Sequence, residues 1–135
     1  MSSSSSRSRA VLDTSVLIAR EQARPLARRL PDSVAVSVVS IAELELGVLL
    51  ARDSQTRAGR LRTLGDVRSL VGALPVDERT ASAYAELAAG VLAAGRKPRV
   101  HDTWIAATAM VNDAEVWTQD SDFSDFEPTV TIVRV

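Results

Sequence analysis

The sequence predicts an α/β fold, a mainly parallel sheet between layers of helix, in a single domain. Three observations predict it. Short apolar, strand-like runs alternate with stretches of helical periodicity, the pattern of βαβ units. The first such run, Ala10-Val11-Leu12, is continuously apolar, as a strand covered on both faces would be. The chain has 135 residues, 46% of them apolar, enough to bury one sizeable core.

Taken in order, Met1 to Arg9 is Ser-rich and basic. It lacks the long apolar stretch of a signal peptide. Residues 1–8 are expected to be a disordered lead-in, and residues 9–135 a single domain. After the first strand, Asp13 stands at the strand end, and Thr14 or Ser15 can cap a following helix. Val34 to Val39 is a β-branched run that predicts a second strand. Ser40-Ile41-Ala42-Glu43 has the form of a capping box opening a helix to Leu50. That helix is apolar on more than one side, which predicts cover from a subunit or partner.

Arg52 to Leu70 reads as an Arg-rich helix, its continuity weakened by Gly59 and Gly65. Leu74-Pro75-Val76 is a minimal strand. Asp77 can cap a helix running to about Ala94, where Gly95 stops it. His101-Asp102 opens a short, alanine-rich helix. Glu115 to Thr118 is a strand leading into Gln119-Asp120-Ser121-Asp122-Phe123, and Val130 to Val135 is the last strand.

Four acids share one kind of place. Asp13, Glu43 and Asp120 each follow a strand directly or within one helical turn, and Asp102 starts a helix. Right-handed crossovers put strand-to-helix turns of a parallel sheet on one edge. Each acid alone reads more simply as a helix cap. A cap accepts Ser, Thr or Asn as readily as Asp, so four acids at corresponding positions ask for more. Gathered carboxylates repel unless a cation sits among them. Oxygen-only donors favour Mg²⁺ or Mn²⁺ over zinc. Such an ion readily supplies a nucleophilic water for a phosphodiester.

Composition excludes several classes. There is no cysteine, so no disulfide framework and no thiolate zinc site. No apolar run approaches a membrane span, and the expected location is the cytoplasm. No Ser-His-Asp or Cys-His set is available. His101, the single histidine, reads as a surface or capping residue. No glycine-rich phosphate loop appears. The formal net charge is -1, yet it is unevenly spread. Arg20, Arg24, Arg28 and Arg29 cluster early, and seven acids against one base follow His101. Such asymmetry can mark a polyanion path to a cation-holding site, although solvated helix faces explain any single Arg as well.

Val11-Leu12-Asp13-Thr14-Ser15-Val16-Leu17-Ile18, Ala42-Glu43-Leu44-Glu45-Leu46-Gly47, the run from His101 to Ala109, and Thr118-Gln119-Asp120-Ser121-Asp122-Phe123 resemble, in order, the four motifs of PIN-domain ribonucleases. The nearest group is the VapC-type toxins of type II toxin–antitoxin pairs. The resemblance implies a three-layer α/β/α sandwich and Mg²⁺- or Mn²⁺-dependent cleavage of RNA by an activated water. It implies Asp13 and Asp102 as direct metal ligands. Glu43 and Asp120 would complete the cluster through metal-bound waters or a second ion, with Asp122 assisting. A hydroxyl of Ser15 or Thr118 would orient one of these acids. It also implies a homodimer and a small cognate antitoxin, whose helix would lie in a groove made by helices around residues 15–30 and 41–68. The antitoxin would insert a basic side chain among the acids.

Two other readings stand beside the endoribonuclease. One is a catalytically silent module of the same fold that binds RNA or a partner. The other is a receiver-like aspartyl-phosphate domain. That needs an acid pair near the first strand, and Asp13 has no acidic neighbour.

Overall fold

The computed structural model describes residues 9–135, so the Ser-rich lead-in expected over residues 1–8 lies outside the described residues. Strand β1 (Arg9–Leu12) runs into helix α1 (Thr14–Glu21), and β2 (Ser33–Ser37) into α2 (Val38–Leu49). Then come α3 (Ser54–Leu70), β3 (Gly72–Leu74), α4 (Glu78–Ala93), α5 (Val100–Val111) and β4 (Glu115–Thr118). A 3-10 turn (Ser121–Phe126) and β5 (Ile132–Arg134) close the chain.

The strand order is β3-β2-β1-β4-β5, and every pairing is parallel. The pleat divides the core in two. Val11, Val116 and Ile132 face α4, α5 and the 3-10 turn, with Ile105, Leu87 and Phe123. Their strand neighbours Leu12, Trp117 and Val133 point the other way, to Val16, Leu44, Val48 and Leu64 of α1, α2 and α3. Alternate residues of one strand thus serve opposite layers, which is why Ala10-Val11-Leu12, Val34-Ala35-Val36 and Val116-Trp117 are continuously apolar. The result is the expected α/β/α sandwich. Its strand order is not the 2-1-3-4-5 of receiver-like sheets.

After β1 the chain builds outward through β2 and β3, then returns past β1 to add β4 and β5. The order therefore reverses between β1 and β4, the kind of crevice where open α/β sheets collect ligands. Leu12 is in register with Trp117, so Asp13 and Thr118 lie side by side at its mouth.

Several boundaries differ from those the sequence predicts. The second strand ends at Ser37, and α2 starts at once, with Ser37 as its cap through Val39 N at 3.1 Å. Val38 and Val39 continue a β-branched run, but they form the first turn of that helix. The Ser40–Glu43 capping box does not form. Ser40 is buried inside the helix, its hydroxyl 3.0 Å from that of Thr14. Asp13 itself, not Thr14 or Ser15, caps α1. β3 lies earlier than Leu74-Pro75-Val76, since Pro75 has no N–H to give a ladder. β5 is shorter than Val130–Val135, because Val130 N is turned back to Phe126 O.

Two glycines do not interrupt α3, which is continuous from Asp53, its cap. Asp77 caps α4 in a reciprocal box with Thr80, and Gly95 follows that helix at φ 80°, where a side chain would be strained. α1 ends at Glu21, so of the stretch 15–30 only residues 15–21 are helical. No helix is long and apolar enough to cross a membrane among the described residues.

Candidate active site

Asp13 is held from three sides. It is buried, and its Oδ2 accepts from Ser15 Oγ at 2.7 Å, Thr118 Oγ1 at 2.9 Å and, more weakly, Ser15 N at 3.4 Å. None of these bonds falls on Oδ1, which leaves that oxygen for another partner. Asp13 is thus both the cap of α1 and a fixed carboxylate at the mouth of the crevice.

The fourth motif is tied to the first through the same two hydroxyls. Thr118 Oγ1 accepts from Asp120 N at 2.9 Å while donating to Asp13, and Ser15 Oγ accepts from Gln119 N at 3.0 Å. Asp120 caps the 3-10 turn, accepting from Asp122 N at 2.9 Å. These bonds set where β4 hands the chain to the turn. Phe123 anchors the turn below, fully buried.

Glu43 reaches the crevice from the second turn of α2. Thr14 Oγ1 donates to its Oε1 at 2.7 Å, and its Oε2 lies 3.5 Å from His101 Nδ1. Asp102 sits in the first turn of α5, whose cap position is Arg99, with no side-chain cap bond. The cap explanation therefore fails for Asp102 and for Glu43, and holds for Asp13 and Asp120. The latter two combine a cap with a place in the cluster.

Asp102 is the unusual group. Its Oδ2 is buried and has no hydrogen-bond partner among the described residues. Arg99 Nε lies 3.1 Å from it, close in distance but not aligned as a hydrogen bond. Burial, opposed by Arg99 and reinforced by repulsion from Asp13, Asp120 and Glu43, pushes its carboxyl up to about 6. The charges of Asp13, Asp120 and Glu43 thus lie near enough to act on Asp102. The same Arg99 contacts Asp120 Oδ2 at 3.2 Å and also touches Asp122 Oδ2. Asp122 is the most exposed of the acids, at 58%. An open cleft of about 330 Å³ lies over Glu43, Arg99, His101 and Asp102.

The donor set suits a hard divalent ion, since it is all carboxylate oxygen apart from His101. An orphaned buried carboxylate oxygen and an excess of negative charge also fit a cation. Yet among the described residues no three of these acids, with or without His101, are placed to grip one ion together. The fit is to an open site, two carboxylates and several waters, as Mg²⁺ commonly accepts.

The sequence did not mark Arg99, Thr14 or Ser40 as neighbours of the acids. Arg99 reads as one more loop residue after Lys97-Pro98. Its spacing of three before Asp102 at a helix start is the signal that could have marked it. Thr14 reads as a cap, and its link to Glu43 depends on the approach of α2, which no local pattern reports.

Away from the acids, a groove of about 290 Å³ lies between α1, α3 and the sheet. Leu17, Leu30, Val34 and Val67 give it an apolar floor, with Arg20 and Arg62 also lining it. On α2, Leu46 and Leu49 are exposed, as is Leu50 just past its end, Leu49 at 76%. Arg24, just past α1, reaches Gln119 Oε1 at 3.0 Å, beside the acid site.

With that geometry in view, the relatives are informative. The PIN domain family matches residues 10–127. Ribonuclease VapC5 of Mycobacterium tuberculosis is 46% identical over 128 residues, covering 93% of this chain and 94% of that one. Ribonuclease VapC4 of the same organism is 36% identical over 132 residues, 94% and 97% of the two chains. A crystal structure of a member of the VapBC family of toxin-antitoxin systems, VapBC-5 from M. tuberculosis, matches with a TM-score of 0.85 and 42% identity, over 95% of this chain and 99% of that chain. A VapBC complex from Salmonella typhimurium shares the fold at a TM-score of 0.78 but only 18% identity. The ordered motifs, the sheet and these likenesses agree: the chain belongs to the PIN-domain family, in the company of the VapC ribonucleases.

Proposed function

We propose that this chain is a metal-dependent endoribonuclease, the toxin of a toxin–antitoxin pair, and that it hydrolyses RNA phosphodiester bonds with an activated water. The observation that carries this reading is the half-buried Asp102 carboxylate, its Oδ2 without a hydrogen bond, set near the charges of Asp13, Glu43 and Asp120. The names of its relatives as ribonucleases agree. A bound Mg²⁺ or Mn²⁺ would supply Lewis acidity and lower the pKa of water. Asp13 and Asp102 would hold the ion. Glu43 and Asp120 would orient waters around it, and Asp122 would add charge at the rim.

The hydroxyls fix these acids. Ser15→Ala removes the shortest bond to Asp13 and an acceptor for Gln119 N. It is expected to slow cleavage about 10- to 100-fold while costing only about 1 kcal/mol of stability. Comparing initial cleavage rates with urea melts checks both. Loss of stability in step with activity would mean the bond is merely structural.

Arg20 and Arg24 lie where an RNA backbone would pass from α1 to the acids, attracted by charge rather than by base. The apolar groove and the exposed leucines of α2 suit an antitoxin helix docking through apolar anchors. The crystallised VapBC-5 relative comes from a toxin–antitoxin system, which supports that partner. A homodimer would cover further apolar surface of α2.

One observation favours a silent binding module instead: Arg99 already fills part of the acid cluster, and no three acids are set to grip an ion. An RNA cleavage assay with mapped products separates the two. Cleavage with Mg²⁺ or Mn²⁺ that stops with EDTA and returns with excess metal is expected. RNA bound but never cut would establish the module, and cleavage unaffected by EDTA would contradict the metal.

A further inference from the structure

Arg99 stands at the junction of two motifs. It is the last residue before α5, and its guanidinium spans acids on two elements. Nε is 3.1 Å from Asp102 Oδ2, and Nη1 is 3.2 Å from Asp120 Oδ2 and also meets Asp122 Oδ2. Its neighbour His101 meets Glu43 from the same helix start, at 3.5 Å. The guanidinium cannot lose its charge at any ordinary pH, so it is a permanent cation inside an acid cluster.

Two features show that it is held without being locked. The side chain is 49% exposed, so a short swing returns it to water. Its contact with Asp102 is one of charge alone, since Asp102 Oδ2 keeps no aligned hydrogen bond. The oxygen left unbonded is the buried one that best suits a small ion. A guanidinium and a divalent cation drawn to Asp102 and Asp120 would occupy the same patch of negative potential and repel each other.

We propose that Arg99 is the resident counter-cation of the acid cluster, and that a divalent ion loads the site only by displacing it from Asp102 and Asp120. The proposal rests on the metal reading above and adds a residue to it. Arg99 keeps the acids together when no ion is bound and lowers the affinity for the ion. Coupling between two such sites is reciprocal, so whatever the ion does to Arg99, Arg99 does to the ion.

The test is a Mn²⁺ titration of the full chain by calorimetry, with Asp102→Asn marking which binding belongs to the site. Arg99→Met is expected to bind Mn²⁺ about tenfold more tightly than the wild type. Arg99→Lys keeps the charge but not the fork that spans three acids, and is expected between them, about threefold tighter. Thermal melts in EDTA establish that each variant is folded. If Arg99→Met does not fold, Arg99→Lys decides. Unchanged or weaker Mn²⁺ binding in the folded variants overturns the competition while leaving the metal reading intact. If no protein shows Asp102-dependent Mn²⁺ binding, the metal reading fails and this proposal fails with it.

Discussion

Asp102→Asn is expected to lower RNA cleavage by at least about 100-fold and, without metal, to make the protein more stable. The two effects have one cause. The folded-state pKa of Asp102 is about 6, above its ordinary 3.8. Between those values the folded protein holds a proton that the unfolded chain releases, so stability falls as pH rises through that window. Above it, the ionised carboxylate is a standing cost. A shift of this size is worth at most about 3 kcal/mol, and water in the open cleft reduces it to about 1–2 kcal/mol. In EDTA at pH 7.5, Asp102→Asn should therefore melt higher than the wild type, and near pH 4 the difference should vanish. Adding Mn²⁺ should raise the wild type more than the variant, because only the wild type offers the full pair of carboxylates. A variant that melts lower than wild type at pH 7.5 without metal would show that Asp102 is stabilising, and would remove the electrostatic basis of the site.

Phe123→Ala carries the largest expected loss of stability, about 3–5 kcal/mol. The ring is fully buried and meets Phe126 edge-on, with centroids 5.8 Å apart. It packs in the same core layer as Val116, Ile105 and Leu87, directly beneath the turn that carries Asp120 and Asp122. Chemical denaturation should show a lower midpoint with an unchanged slope. Activity should fall as well, since a loosened turn no longer holds Asp120 against Thr118. A loss below about 1 kcal/mol would mean that the turn repacks around the cavity and that its position does not depend on the ring.

Much of the fold was legible because its signals are local. Ala10-Val11-Leu12 and Glu115 to Thr118 form strands as their composition says, and Asp77 and Gly95 bound α4 as their chemistry says. The misreadings came where two local signals compete. Val38 and Val39 have strand character, yet Ser37 caps a helix at once, because the chain must turn back onto the sheet without a loop. Ser40 and Glu43 have the spacing of a capping box, but they lie one turn into the helix. There Thr14, far off in sequence, lies against one and donates to the other. Asp13, Glu43 and Asp120 were legible as candidates because strand-to-helix turns of a parallel sheet share an edge by topology, whereas Asp102, at a helix start, did not follow from that rule. Arg99 was not, because its importance lies in three contacts made by elements brought together only by folding.

On the proposed function, Asp13 and Asp102, distant in sequence, would share one divalent ion at the mouth of the crevice between β1 and β4. The most direct measurement is an anomalous difference map from crystals of this chain soaked in Mn²⁺. One strong peak is expected within about 2.0–2.5 Å of a carboxylate oxygen of each residue, with waters completing the shell and the Arg99 guanidinium moved off Asp102. Peaks confined to surface acids such as Asp122, or no peak at a Mn²⁺ concentration that supports cleavage, would contradict it.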